Sequence, residues 1–537
     1  MKRPPLLLAS TALGLLVVAV GSGCSFGESG IAPPTNRVFL PGGIVPDPDG
    51  SFLYVVNSNS DLRFNAGTVV AVDLDQASLV QRCAQDPNQA ECQARAAQNP
   101  ALGKQRPLCT KTRFSRTEPV PNDYCCRDLV DSNILNCNEP QFIQDDATIE
   151  IGSFGGAVEL QSFARGEVSI RRLFMAVRAE PSITYADVTV TSDGSTSTVA
   201  MRCTGPHGQD APAPPPNAFC DDNWRIRRPG GVTPGALVLP EEPHVLTIDN
   251  VHHALLIGHL TLSANAQLLG GGVSALDICD PEDDYPVRFA GLARTTFLPA
   301  TLSQAVASLS PGDPFLPDTE VYVGARYSAA ISGMVFKHTP DDPQHPGPNN
   351  SSDPEANHCD RSAARDLTLI PSEHFYSPAF LPNGADVRGI LFSSDGSRAF
   401  VLHRNDVGSA ANPAALAVLD RHPLPDGTPS NQPMGVLQVC NGPTAMQVRD
   451  VGSGDRIFVT CYDDGQIWVI DPVALMVTGI IDAGAGPISL VFSPRDKGIA
   501  YVASFANSHL SLIDLRPGSP TENRVLLRIG LPHGYGE

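Results

Sequence analysis

The chain has 537 residues, 42% of them hydrophobic and 18% charged, with 47 Gly, 49 Pro and a formal net charge of −20. The apolar fraction excludes a disordered chain, and the Gly and Pro content excludes a mostly helical one, because both residues penalise or break helix interiors. The acidic balance excludes nucleic acid as a partner, since phosphate binding needs a basic face.

The N-terminus carries Lys2 and Arg3, an uncharged apolar run from Leu6 to Val20, and then Gly21, Ser22, Gly23 and Cys24. Fifteen apolar residues cover roughly 22 Å of helix, short of the ~30 Å hydrocarbon core, so residues 1–23 read as an export signal and not as a spanning helix. The end of this leader resembles the lipobox of bacterial lipoproteins, with Gly21 standing where that family usually has Leu. The resemblance implies cleavage before Cys24 and lipidation of that cysteine. With Ser25 following, it also implies an exported protein anchored in the bacterial cell envelope at the outer membrane. Acyl chains contribute ~0.8 kcal/mol per buried CH₂, so the lipid would be the only membrane element needed. Residues 24–36 read as a flexible tether and 37–537 as the folded body.

The body repeats. Its first unit is PDPDGSFLYVVNSNS followed by GTVVAVDLD, with a closing Asp73. Three late units have the same plan, a DG-type turn, an apolar strand, a second alternating strand and an Asp, ending at Asp420, Asp471 and Asp514. Weaker copies align through tetrapeptides in the slot of Tyr54–Asn57: MAVR from Met175, LLIG from Leu255 and YVGA from Tyr322. With FVLH, FVTC and YVAS the count is seven. Near-continuous apolar strands suit sheets covered on both sides, DG turns suit tight hairpins, and seven small sheets shelter their edges best in a ring. The expected fold is all-β, a seven-bladed β-propeller, and no segment reads as helical.

YVVN with VVAVDLD, and the GP run leading into FSPRDKGIAYVA, resemble the YVTN-type β-propeller repeats of exported bacterial proteins, shared loosely with lactonase-like propellers. The likeness covers residues 37–76 and 385–537 and rests on strand spacing between them. It implies a fold more firmly than an activity.

With strands a to d running outward in each blade, the a–b and c–d connections share one face and the b–c and d–a connections the other. Insertions at about 77–147, 191–233, 280–296 and 338–364 then fall on one face, as disulfide-rich loops. Twelve of the thirteen cysteines remain after Cys24, an even number that suits disulfides in an oxidising compartment. Cys203 is expected to pair with Cys220, the 83–137 segment to hold local bridges, Cys279 to pair with Cys359, and Cys440 with Cys461.

Little in the sequence carries chemistry. His252, His253 and His259 are the densest histidine group, but on a strand they scatter over both faces. Asp47-Pro-Asp49-Gly50 and Asp463-Asp464-Gly465 match what hairpin turns demand. G-x-S-x-G is absent. No residue is therefore assigned a catalytic, metal or cofactor role, and no cofactor is expected. Binding is the better reading, at the rim opposite the insertions, where Arg63, Phe64, Arg178, Arg326, Tyr327, His374, Tyr376, His403, Arg404, Tyr462 and Phe505 collect; Arg and aromatic side chains favour binding hot spots. The expected function is a lipid-anchored, non-enzymatic binding or scaffold protein for a protein, glycan or small ligand of the envelope. The alternative is a metal-dependent envelope hydrolase or lactonase-like enzyme.

Overall fold

Seven antiparallel sheets follow one another along the chain, each with its strands in sequence order from the axis outward. The computed structural model describes residues 30–96, 102–109, 120–165, 168–192, 197–203, 218–220, 225–227, 239–260, 271–278, 287–295, 297–309, 318–326, 328–338, 367–376, 386–404, 413–452 and 454–531. Blade 1 is built from Pro41–Pro46, Phe52–Asn57, Gly67–Asp73 and Ile143–Ile151, and blade 2 from Gly155–Arg165, Val168–Val177, Ser182–Ser192 and Ser197–Cys203 with Arg225–Arg227. Blade 3 comprises Pro243–Asp249, Ala254–His259, Gly272–Asp277 and Arg288–Arg294, and blade 4 comprises Pro299–Leu302, Thr319–Ala325, Ile331–His338 and Leu367–Tyr376. Blades 5 to 7 begin at Asp386, Pro443 and Pro487. Each innermost strand adjoins those of both neighbouring blades, and that of blade 1 adjoins that of blade 7, so the ring is closed.

The packing explains the repeat. Seven apolar clusters fill the seven seams between blades. Strand b, second from the axis, is covered on both faces, which is why FLYVVN and ALLIGH are buried at every position and why they read as continuous apolar runs. The Asp ending strand c accepts a backbone N–H two or three residues on: Gln76 for Asp73, His422 for Asp420, Val473 for Asp471 and Arg516 for Asp514. That is the side-chain turn for which Asp is suited.

Three insertion boundaries need correction. Strand d of blade 1 begins at Ile143, inside the expected 77–147. Strand d of blade 2 is supplied in two pieces, 197–203 and 225–227, from within the expected 191–233, so the excursion interrupts strand d instead of preceding it. Blade 3's outermost strand, 288–294, lies inside the expected 280–296. In each case the outer strand is short or irregular, and half of its side chains face water, so its pattern is weak. The body of the 338–364 insertion lies outside the described residues, as do Cys24, Cys279 and Cys359.

A second correction concerns helix. The blade 1 insertion starts as a helix, Leu74–Gln85, because Asp73 caps it through Gln76 N and Leu74, Ala77, Val80 and Ala84 recur at helical spacing on its buried side. A short second helix spans Ala90–Arg95. The insertion then crosses to the other end of the chain. Leu135–Cys137 pairs in parallel with blade 7's outermost strand through Leu527, Arg528 and Ile529, and Cys125–Arg127 pairs with it in turn. The cluster in the seam between blades 7 and 1 includes Leu79, Val80, Leu102, Leu135 and Phe142 of this insertion. Blade 7 keeps all four of its strands from the C-terminus, so the insertion, and not an exchanged strand, clasps the ring and covers its edge. The blade 2 excursion does likewise for blade 1, with residues 218–220 bonded to Glu150 of its outer strand.

Five disulfides are present among the described residues: Cys83–Cys92, Cys109–Cys126, Cys125–Cys137, Cys203–Cys220 and Cys440–Cys461. The three in the clasp staple a segment whose own apolar cluster is only Cys109, Tyr124 and Cys126 with Val120 and Leu531 against it. Residues 30–36, expected to be part of a free tether, lie against blade 1. The Ile31 carbonyl accepts from Asn65 N, the Thr35 carbonyl accepts from Thr148 Oγ1, and the neighbouring Arg37 pairs with Glu139 at 2.8 Å.

Candidate functional site

Two positions recur at the channel mouth on the face bearing the b–c and d–a connections. In every blade the innermost strand carries a bulge at its start, which leaves one residue out of the pairing with strand b: Gly42, His244, Ala300, Arg388, Thr444 and Ile488, and in blade 2 Gly156 with Ala157. Bulges re-aim a side chain, and these sit on the strand that lines the channel. The second position follows strand b. Ser58, Arg178, Leu260, Arg326, Tyr462 and Phe505 each donate their backbone N–H to the carbonyl just before strand a, and Arg404, paired with Asp386, is the blade 5 counterpart. The accepting residue often has a positive φ, 49° at Glu242 and 60° at Gly442, where a Cβ would stand 2.2 Å from the Asp463 carboxylate.

Blades 2 to 5 fill these positions with basic residues, guanidinium groups in blades 2, 4 and 5 and an imidazole in blade 3. His244 and Arg388 occupy bulges, Arg178 and Arg326 follow strand b, and Arg404 is its last residue in blade 5. His244 is half-buried, and burial holds its ring neutral, down to about 3; Arg178, Arg388 and Arg326 all push the same way. Arg388 is held below the usual guanidinium range by burial, against Asp386, with Arg404 and Arg326 adding to the effect. These influences connect side chains of four successive blades at one end of the channel. Three carboxylates partly answer them: Glu242 at 3.7 Å from Arg178, Asp386 at 2.6 Å from Arg388 and Asp463 at 4.0 Å from Arg404. The Nε atoms of Arg178 and Arg388 are buried without an acceptor.

The rim residues expected from the sequence divide. Arg178, Arg326, Arg404, Tyr462 and Phe505 stand at the second ring position. Arg63 and Phe64 lie further out, in the b–c connection of blade 1, where Arg63 faces Asp61 and Phe64 packs edge-on against Phe39, centroids 5.0 Å apart. His374 and Tyr376 belong to the outermost strand of blade 4 instead of a rim loop, because the strand continues through SEHFY to pair with Ile331. Tyr327 and the side chains of His374 and Tyr376 lie outside the described residues. His403 is not a rim residue. It is the penultimate residue of strand b, Arg398–Arg404, at 1% exposure, facing the seam with blade 4, with both ring nitrogens unbonded. His244 and Arg388 carry no motif; His244 is marked only by its place after the proline that opens strand a, as in Pro41-Gly42 and Pro443-Thr444, and Arg388, after Val387, lacks even that signal.

The other sequence candidates are structural. Asp47, expected in a turn, is buried there, holding Arg171 of blade 2 at 2.9 Å and accepting from the Tyr54 hydroxyl at 3.0 Å. His252 is buried on Asp249 at 2.8 Å, beside Thr319 of blade 4, while His259 contacts Ser274 Oγ at 2.6 Å. Among the described residues no group of three or more His, Cys, Asp or Glu is placed to hold a metal ion.

The buried histidines predict acid sensitivity. Burial lowers His259 to about 3 and His403 to about 4. A ring that stays neutral in the fold but titrates near 6.5 when unfolded gives full stability above pH 6.5 and loses it as pH falls toward the folded value. At pH 5 each should cost about 2 kcal/mol. Guanidinium unfolding at pH 7.5 and pH 5 checks this; equal midpoints would show that the rings accept protons inside the fold.

No protein-family model matches this sequence, and no curated protein does. Among solved structures the chain is similar to hydrazine synthase of Kuenenia stuttgartiensis, with 10% identity over 93% of this chain and 100% of that one at a TM-score of 0.46. It is also similar to the β-propeller domain of Cps50 (Swd1) from Myceliophteria thermophila, with 9% identity, 90% and 99% coverage and a TM-score of 0.42. The periplasmic gluconolactonase PpgL of Pseudomonas aeruginosa shows 12% identity, 70% and 96% coverage and a TM-score of 0.36.

Proposed function

We propose that this chain is an exported, lipid-anchored propeller of the bacterial cell envelope that acts as a non-enzymatic binding protein, receiving its ligand at the channel mouth between blades 2 and 5. One observation carries the reading: Arg178, His244, Arg326, Arg388 and Arg404 stand at the two recurring mouth positions of four successive blades, near enough for Arg178, Arg326 and Arg388 to act on His244 and for Arg326 and Arg404 to act on Arg388, on a molecule whose net charge is −20. Concave sites with a few convergent polar groups are where ligands bind, and arginine is prominent among residues that dominate binding. A metal-dependent hydrolase would instead gather oxygen or imidazole ligands around a cation, whereas guanidinium groups repel one.

Arg388→Gln tests the placement. Glycan and peptide arrays probed with the mature protein should yield ligands whose binding falls about tenfold or more in the variant, the loss expected for a charge-assisted contact. Binding that persists unchanged in Arg388→Gln and in Arg178→Gln would place the function elsewhere. An intact mass showing acyl chains on Cys24 tests the anchor, and its absence would leave an ordinary secreted protein.

A further inference from the structure

Resting on that reading, we infer that the group held at the channel mouth is an oxyanion, a phosphate or carboxylate carrying more than one negative charge. The geometry behind this is fourfold. Arg178, Arg326 and Arg388 all act on His244, and Arg326 and Arg404 act on Arg388, from the two recurring mouth positions of four successive blades. The buried Nε atoms of Arg178 and Arg388 have no acceptor, and a planar guanidinium that already gives one edge to a carboxylate has its remaining donors ready for a second oxygen. Thr444 brings a hydroxyl to the same bulge position in blade 6, one blade beyond Arg388. Among the described residues the charged groups that act on His244 are all guanidinium groups. An oxyanion there would accept from Arg178 and Arg388 without displacing Glu242 or Asp386.

Two sources could offer this chemistry, a soluble anion or a lipid headgroup. The chain beyond Gly30 leaves from the same face, where the Ile31 carbonyl is fixed by Asn65 N in the b–c connection of blade 1. Five residues lie between Cys24 and Gly30, and the six Cα–Cα steps span at most about 21 Å when extended. A lipid on Cys24 therefore holds the mouth face close to the membrane surface.

The test uses the mature chain carrying Cys24→Ser, free of lipid. Inorganic phosphate and sulfate should raise its thermal midpoint more than acetate at equal ionic strength. Calorimetric affinity for phosphate should fall about tenfold or more in Arg388→Gln and remain unchanged in Arg95→Gln, a control on the outer helix of the clasp. Phenylglyoxal labelling read by peptide mass should show phosphate protecting Arg178, Arg326, Arg388 and Arg404 but not Arg95. Vesicles of neutral phosphatidylcholine, with and without anionic phosphatidylglycerol, separate the sources. Binding to the anionic vesicles that is lost in Arg388→Gln assigns a headgroup, and binding of phosphate alone assigns a soluble anion. Failure of all these probes in the folded wild type, or equal effects in wild type and Arg388→Gln, overturns the inference. If an uncharged array ligand still depends on Arg388, mouth binding survives while the oxyanion does not.

Discussion

Breaking the clasp should loosen the ring at the seam between blades 7 and 1 before any other seam. Cys125→Ser with Cys137→Ser removes the bridge directly across the small hairpin that extends blade 7, and Cys109→Ser with Cys126→Ser removes its neighbour. These bridges close loops of 17 and 12 residues, for which chain entropy alone gives about 3 kcal/mol apiece. More follows from position. Gly530 N donates to the Cys137 carbonyl, Arg528 pairs with Asp128 at 3.3 Å, and Leu135 and Cys137 belong to the core of that seam. Once the hairpin frays, the outer strand Arg524–Ile529 becomes an open edge over a leaking core. The expected result is a lower guanidinium midpoint together with accelerated amide exchange at Gly530 and in its strand, while the blade 4 and blade 5 strands keep their protection. Unchanged exchange at Gly530 in the quadruple variant would show that the ring holds without its clasp.

How much of this was legible follows from where each residue sits. Strand b is covered on both faces in every blade, so its apolar run survives in sequence whatever the blade does, and seven blades could be counted from it. The two weakest copies were aligned one residue out of register: FMAV 174–177 and LIGH 256–259, not MAVR and LLIG, match Tyr54–Asn57 in the structure. Outer strands touch one neighbour and water, and their signal is weak accordingly, so the sequence of strand d in blades 1 to 3 does not stand out from the insertions around it. The clasp was out of reach for another reason. Its pairing joins residue 135 to residue 527 in parallel over three residues, and no local pattern records so distant a partner. At the mouth, Arg178, Arg326 and Arg404 could be found because they follow or end a recognisable strand. His244 and Arg388 could not, because a bulge is a backbone event that no side-chain pattern records.

Arg421 carries the second large effect, at the seam between blades 4 and 5 on the face opposite the mouth. It follows strand c of blade 5 and is 2% exposed. Its Nη2 lies 2.8 Å from Glu320 Oε2 on strand b of blade 4, itself buried, and Nη1 donates to the Gly396 carbonyl at 3.1 Å. The guanidinium carbon stands 4.2 Å from the Phe392 ring centroid and 5.5 Å from that of Tyr322, whose hydroxyl donates to Asn431 at 2.6 Å. Removing one partner of such a pair costs about 3–5 kcal/mol, because the other charge stays where water cannot reach it. Arg421→Ala should therefore unfold at a much lower guanidinium concentration than the parent. Most of that loss reflects the stranded carboxylate and not the strength of the pair. Combining Arg421→Met with Glu320→Leu, which fills the space with apolar atoms, should recover most of it. If the double variant is no more stable than Arg421→Ala, the seam depends on the guanidinium itself, through its stack on Phe392 and its bond to Gly396, and the ion pair is secondary.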